Sequence, residues 1–89
     1  MKTYQATIRH GSEILLEDIR VYLEETTEQS GLKSWYGVFQ LGEGQDVEPG
    51  GLYTIQLDDD RSGDVLINTV SISSHSSTQV SFQGTGPLA

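Results

Sequence analysis

The run Asp58-Asp59-Asp60-Arg61-Ser62-Gly63-Asp64-Val65 has the spacing of a calcium loop, D-x-D-x-S-G-x-apolar. Calcium takes six to eight oxygens, and alternate residues of a tight loop can aim carboxylates at one point, with glycine allowing the bend. Asp58, Asp60, Ser62 and Asp64 are the candidate ligands. The pattern then departs from an EF-hand. Thr69 stands twelfth in the loop, where a bidentate glutamate belongs, the flanks read as strands, and Arg61 puts a positive charge inside. Any calcium affinity is therefore expected to be weak, on the order of millimolar. The same residues also suit an acidic β-turn, because Asp, Ser and Gly are what turns prefer, with Arg61 neutralising its neighbours.

Other chemistry is thinly supported. The two histidines, His10 and His75, sit in separate turns, and a zinc site would need both plus a carboxylate. There is no cysteine, so no thiolate ligand, disulfide or thiol nucleophile. The serines between Ser71 and Ser77 lack a nucleophile–base spacing. G-x-G occurs at Gly42–Gly44 and Gly84–Gly86, but neither opens a helical pattern, so neither implies a phosphate site. The chain is not expected to be an enzyme, and no cofactor other than calcium is implied.

The elements that must position these residues read as strands. Tyr4, Ala6 and Ile8 alternate with polar residues over Thr3–Arg9, the period of a half-buried strand, and His10-Gly11-Ser12 reads as a turn. Glu13–Glu25 is ambiguous: as a helix, Leu15, Leu16, Ile19, Tyr22 and Leu23 share one arc; as a strand, Ile19, Val21 and Leu23 share one face. Ser34–Leu41, Leu52–Leu57, Asp64–Ser73 and Thr78–Gln83 complete six strands, and Gly42–Gly51 links the halves. The tail from Gly84 is expected to be loose.

An internal match favours the strand for Glu13–Glu25. Ile14–Val21 aligns without a gap on Val65–Ile72, each apolar position matching an apolar one. Tyr4-x-Ala6-x-Ile8 resembles Tyr53-x-Ile55-x-Leu57, and Val38-Phe39-Gln40 resembles Ser81-Phe82-Gln83. The partner segment is rich in Val, Ile, Thr and Ser, a poor helix composition. The off-phase pair Ile14 and Leu16 then points to a bulge near Glu17-Asp18. The expected fold is all-β: one domain over residues 1–89, a small six-stranded barrel or sandwich built from two similar three-strand units, 3–44 and 52–86.

With 89 residues, such a domain buries only about 60% of its unfolded surface, so a dimer would help it. Its net charge of −8 repels phosphate backbones, so direct nucleic-acid binding is not expected. No apolar run reaches the ~20 residues of a helical membrane span, and the first residues lack the apolar core of a signal peptide. A soluble, cytoplasmic protein is expected.

The two units differ in their outward residues. A hairpin centred on Glu28-Gln29-Ser30 pairs residues whose numbers sum to about 58, which sets Tyr22 opposite Tyr36 and Arg20 opposite Val38. All four would point outward, whereas the corresponding second-unit positions are Ser71, Ser73, Gln79, Ser81 and Gln83. Exposed Tyr and Arg dominate binding hot spots; cross-strand aromatic pairs also simply stabilise sheets. The leading expectation is a non-catalytic interaction module that uses Arg20, Tyr22, Tyr36 and Val38 on a protein partner or a second copy. The alternatives are weak calcium binding through Asp58–Asp64, and an acidic inhibitor that mimics nucleic acid.

Overall fold

Over much of the predicted strands alternate residues are apolar, and most of these alternating positions go inside. Ala6 and Ile8, Val21 and Leu23, Ile55 and Leu57, Val65 and Ile67, Val80 and Phe82 are all buried in one core. The computed structural model describes residues 1–42, 44–74 and 77–89, with the backbone alone at 73, 74 and 77. His75 lies outside the described residues, as does the side chain of Ser73. The elements are β1 (Lys2–His10), β2 (Glu13–Thr27), β3 (Lys33–Leu41), β4 (Leu52–Leu57), β5 (Ser62–Ser74) and β6 (Ser77–Gly84).

All neighbours pair antiparallel and close into a barrel of order β1-β2-β3-β6-β5-β4. Closure decides between barrel and sandwich, and it removes the open sheet edges on which strand proteins aggregate. The interior is filled by side chains rather than hollow, as small barrels require.

Glu13–Thr27 is one strand, not a helix. Hydrogen bonding to β1 and then β3 outweighs its helix-compatible pattern. A bulge stands where the off-phase leucine placed it: Ala6 pairs with Ile19 but Ile8 with Leu16, so Glu17 and Asp18 share the place opposite Thr7. Asp18 takes the left-handed φ of 52° there. The β1–β2 turn is the two residues Gly11 and Ser12, with Gly11 at φ 64°.

The expected register of the β2–β3 hairpin requires correction. Tyr22 lies opposite Val38, and Tyr36 opposite Glu24, so paired numbers sum to 60. The connecting loop is centred on Ser30, closed by the Glu28 N–H donating to the Leu32 carbonyl at 2.8 Å and the Gly31 N–H to the Glu28 carbonyl at 2.9 Å. A shift of two keeps every residue on its expected face.

Exchanging β1-β2-β3 with β4-β5-β6 leaves the strand pairings unchanged. The residue match is less regular. Val21 is 0% exposed, whereas Ile72, aligned with it, is 84% exposed on the projecting end of the β5–β6 hairpin. The bulges explain the slip: that of β2 opposes β1, whereas β5 carries Asn68 as its extra residue against β6.

Two segments outside the strands close the barrel. At one end Trp35 lies over Gly84 and Gly63, where a β-carbon at Gly84 would overlap the indole and one at Gly63 would stand 2.7 Å from it. The indole N–H donates to the Gly86 carbonyl at 2.8 Å. Ser62 and Ala89 exchange two backbone hydrogen bonds of 3.0 Å. The tail is therefore docked rather than loose, because its glycines admit the tryptophan and its last residues continue the backbone pairing of β5. At the other end Val47, from the segment between β3 and β4, is buried with Leu41 and Tyr53, and the Glu48 N–H donates to the Tyr53 hydroxyl at 3.0 Å.

Candidate interaction face

Alternation sends Arg20, Tyr22 and Glu24 of β2 outward, since Ile19, Val21 and Leu23 are buried. On β3 the same rule sends out Tyr36, Val38 and Gln40. Cross-strand pairing assembles these into rows around the barrel. One row runs Thr3–Tyr22–Val38–Ser81–Thr69. The next runs Glu24–Tyr36–Gln83–Leu66–Leu52. Tyr22 is 39% and Tyr36 44% exposed, Val38 is half-buried, and Arg20 is exposed. The four expected contact residues thus share one face, with Tyr22, Val38 and Tyr36 on adjoining strands.

The β3–β6 pairing extends this face beyond the first unit. Leu66 is half-buried and Leu52 is 62% exposed in the row that contains Tyr36. Counting within one hairpin misses both, because only the long-range strand order joins them. The face is otherwise polar and uncharged, with Gln83, Ser81, Thr69 and Thr3; the Thr69 and Ser81 hydroxyls hydrogen bond at 2.6 Å. Its charged members are Arg20 and Glu24, on either side of Tyr22. Glu24 also meets the Met1 ammonium at 3.3 Å. Beside Tyr22 a polar hollow of about 420 Å³ is lined by Gln5, Asp18, Arg20 and Gln40.

The acidic turn is arranged differently from a calcium loop. Asp59, which the ligand spacing passes over, is the acid held: it accepts from the Arg61 backbone N–H at 3.1 Å and from Arg61 Nε at 2.9 Å. The same guanidinium pairs with Glu25 of β2 and donates to the Tyr4 hydroxyl at 3.0 Å. Arg61 thereby fastens the β4–β5 turn to β1 and β2 at the same end of the barrel. The pairing with Glu25 and then Asp59 pushes Arg61 further above its already high ordinary range. For Asp59, desolvation is the largest single influence and pushes upward, but the Arg61 hydrogen bonds and charge together outweigh it and hold the carboxyl below its ordinary value.

Asp64 accepts from the Thr54 hydroxyl at 2.9 Å across β4–β5, and the Ser62 backbone is taken up by Ala89. Asp58 and Asp60 line a shallow hollow with Asp18 and Arg9. Among the described residues, no three His, Asp or Glu side chains converge as a metal would require. His10 packs against Tyr53 with the rings tilted by 51° and their centres 5.5 Å apart. Among the described residues no helix is long and apolar enough to cross a membrane.

Comparison with protein-family profiles, curated proteins and solved structures gave no match.

Proposed function

We propose that this protein is a non-catalytic interaction module whose contact surface is the outer face of β2 and β3, continued over β6 to Leu66 and Leu52. One observation carries the reading: two tyrosines and a valine stand outward on adjoining strands of a closed barrel whose core is complete without them. Tyrosine offers contact area with few rotamers to immobilise, and a rigid sheet face holds it ready. Arg20 and Glu24 stand at the rim, where charges set orientation and association rate more than affinity.

The test is the double substitution Tyr22→Ser with Tyr36→Ser. A face used for contact leaves the fold in place when the tyrosines go. Melting by circular dichroism is expected to show a loss of about 1 kcal/mol or less, the scale of exposed cross-strand pairs. Biotinylated wild-type protein incubated with extract of its own cells is expected to capture a partner, a second copy included, that the double variant does not. Unfolding of the variant, or identical capture by both baits, would end this reading.

A further inference from the structure

Along β2 the outward residues at consecutive alternate positions are Arg20, Tyr22 and Glu24: positive, aromatic, negative. Alternate residues on a strand lie about 6.6–6.8 Å apart. Turn such a row by 180° about an axis through its centre and it becomes its own complement. Arg20 of one copy then faces Glu24 of the other, twice, with the two Tyr22 rings meeting at the axis. That is the pattern of an isologous two-fold contact, the commonest symmetry of homo-oligomers.

Building on the interaction-face reading, we infer that the occupant of this face is a second copy of the same chain, docked by a two-fold axis at Tyr22 with reciprocal Arg20–Glu24 pairs. Three further observations support that occupant. Each copy carries a net charge of −8, so contact between two copies is favoured where the facing surfaces are locally close to neutral. Beyond Arg20 and Glu24, the rows through Tyr22 and Tyr36 consist of Tyr, Val, Leu, Gln, Ser and Thr, while the Asp58–Asp60 run lies in the β4–β5 turn. Arg20 has no ion pair among the described residues, so its charge is available across an interface. An interface of standard size takes roughly 800 Å² per partner, about one-seventh of the 5747 Å² surface of this chain, which one barrel face can supply.

The geometry makes a prediction that general charge repulsion contradicts. R20E makes the net charge more negative by two and E24R makes it less negative by two. Repulsion alone would weaken association in R20E and strengthen it in E24R. The two-fold weakens both, because either substitution sets like charges against each other at both ends of the contact: two carboxylates in R20E, two guanidinium groups in E24R. An equimolar mixture of the two variants restores opposite charges at both ends.

The experiment is sedimentation equilibrium from low micromolar to near-millimolar protein, at low and at moderate salt, with melting curves as the check on folding. Wild-type mass is expected to rise from the 9.8 kDa of one chain toward twice that value. Each single variant is expected to associate at least about tenfold more weakly, and the mixture to regain mass. A wild-type protein that stays monomeric throughout, an E24R variant that associates more tightly, or a mixture that stays monomeric would each overturn the inference. If wild type is monomeric but capture from extract still requires Tyr22 and Tyr36, the face serves another partner and only the second copy is excluded. If capture is also indifferent to the tyrosines, both readings fall.

Discussion

The β2–β3 face and the β5–β6 face are built on the same strand order but present different chemistry. Inside, they match: Phe39 and Phe82, Val21 and Val65, Leu23 and Ile67 are buried alike. Outside, Tyr22, Val38 and Tyr36 stand on β2 and β3, and the same rows continue onto β6 and β5 with Ser81, Gln83 and Thr69, beside Gln79 and Ser71 and around the apolar Leu66. Barrel closure constrains inward residues through packing, and asks of outward ones only that they tolerate a pleated surface. The polar face meets that need with Thr, Ser and Gln. Closure alone therefore does not call for the tyrosines of the aromatic face, and it is on them that the interaction proposal rests.

The largest expected effect tests whether the interiors are as alike as they look. Gly37 of β3 and Gly84 of β6 each give up their side-chain volume to a neighbouring ring. A β-carbon at Gly37 would collide with the Tyr22 carbonyl oxygen and stand 2.8 Å from Phe82 Cζ; at Gly84 it would overlap the Trp35 indole. Gly37→Ala and Gly84→Ala are each expected to cost about 3 kcal/mol or more, the scale of severe overpacking. Urea unfolding followed by far-UV circular dichroism checks this, with Trp35 fluorescence as a second reporter for Gly84→Ala. If one substitution is tolerated and the other is not, the ring beside the tolerated one has room to give way and the two close approaches are not equally tight.

The limits of the sequence follow the same division between repeated and isolated features. Six strands, the Gly11 turn and the Glu17-Asp18 bulge were legible because each rests on local alternation or on its interruption. The hairpin register was two residues off because the Glu28–Leu32 loop holds no residue that fixes its centre unambiguously. The match of Ile14–Val21 to Val65–Ile72 overreached because recurrent Val and Ile cannot reveal which neighbour a bulge opposes. Val47 and the docked tail were illegible for another reason: a single apolar residue among Gly, Asp and Glu has no period. The unpaired indole N–H of a lone tryptophan was the one hint that a carbonyl must come to it. As for the face, the outward placement of Arg20, Tyr22, Tyr36 and Val38 was legible from alternation within an assumed hairpin, whereas Leu66 and Leu52 adjoin them only through the β3–β6 pairing.

A smaller effect sharpens the contrast between the turns. The β4–β5 turn is fastened by Arg61 to Asp59, Glu25 and Tyr4, while Gly11 and Ser12 at the β1–β2 turn bring no charged group. Arg61→Ala is expected to cost roughly 1 kcal/mol, as for exposed ion pairs. The Asp59 carboxyl is held below its ordinary 3.8, so its contribution is present above that value and is lost as pH falls beneath it. Arg61 stays charged throughout the acid and neutral range. The difference in melting temperature between wild type and Arg61→Ala should therefore be constant near neutrality and close as pH drops below 3.8. A gap that persists well below that pH would assign the loss to the contact with Tyr4 and the packing of the arginine stem instead.

The smallest expected effect concerns calcium, and it asks whether the acidic turn is a second functional asymmetry or part of the scaffold. The spacing of Asp58, Asp60, Ser62 and Asp64 suits a loop that turns all four inward. Here Asp64 lies on β5, opposite Thr54 and hydrogen bonded to it, and Ser62 is the first residue of the same strand. Extending β5 to Ser62 removes the loop that would bend these groups toward one centre. Arg61, between the acids, leaves less net negative charge to attract a cation. Amide shifts of Asp58–Thr69 are accordingly expected to stay within the ionic-strength control during a titration to millimolar calcium. Shifts confined to that stretch, abolished by Asp58→Asn with Asp60→Asn, would mean that the turn opens to take the ion. The second unit would then have an outward function of its own, and the contrast between a working face and a plain one would no longer hold.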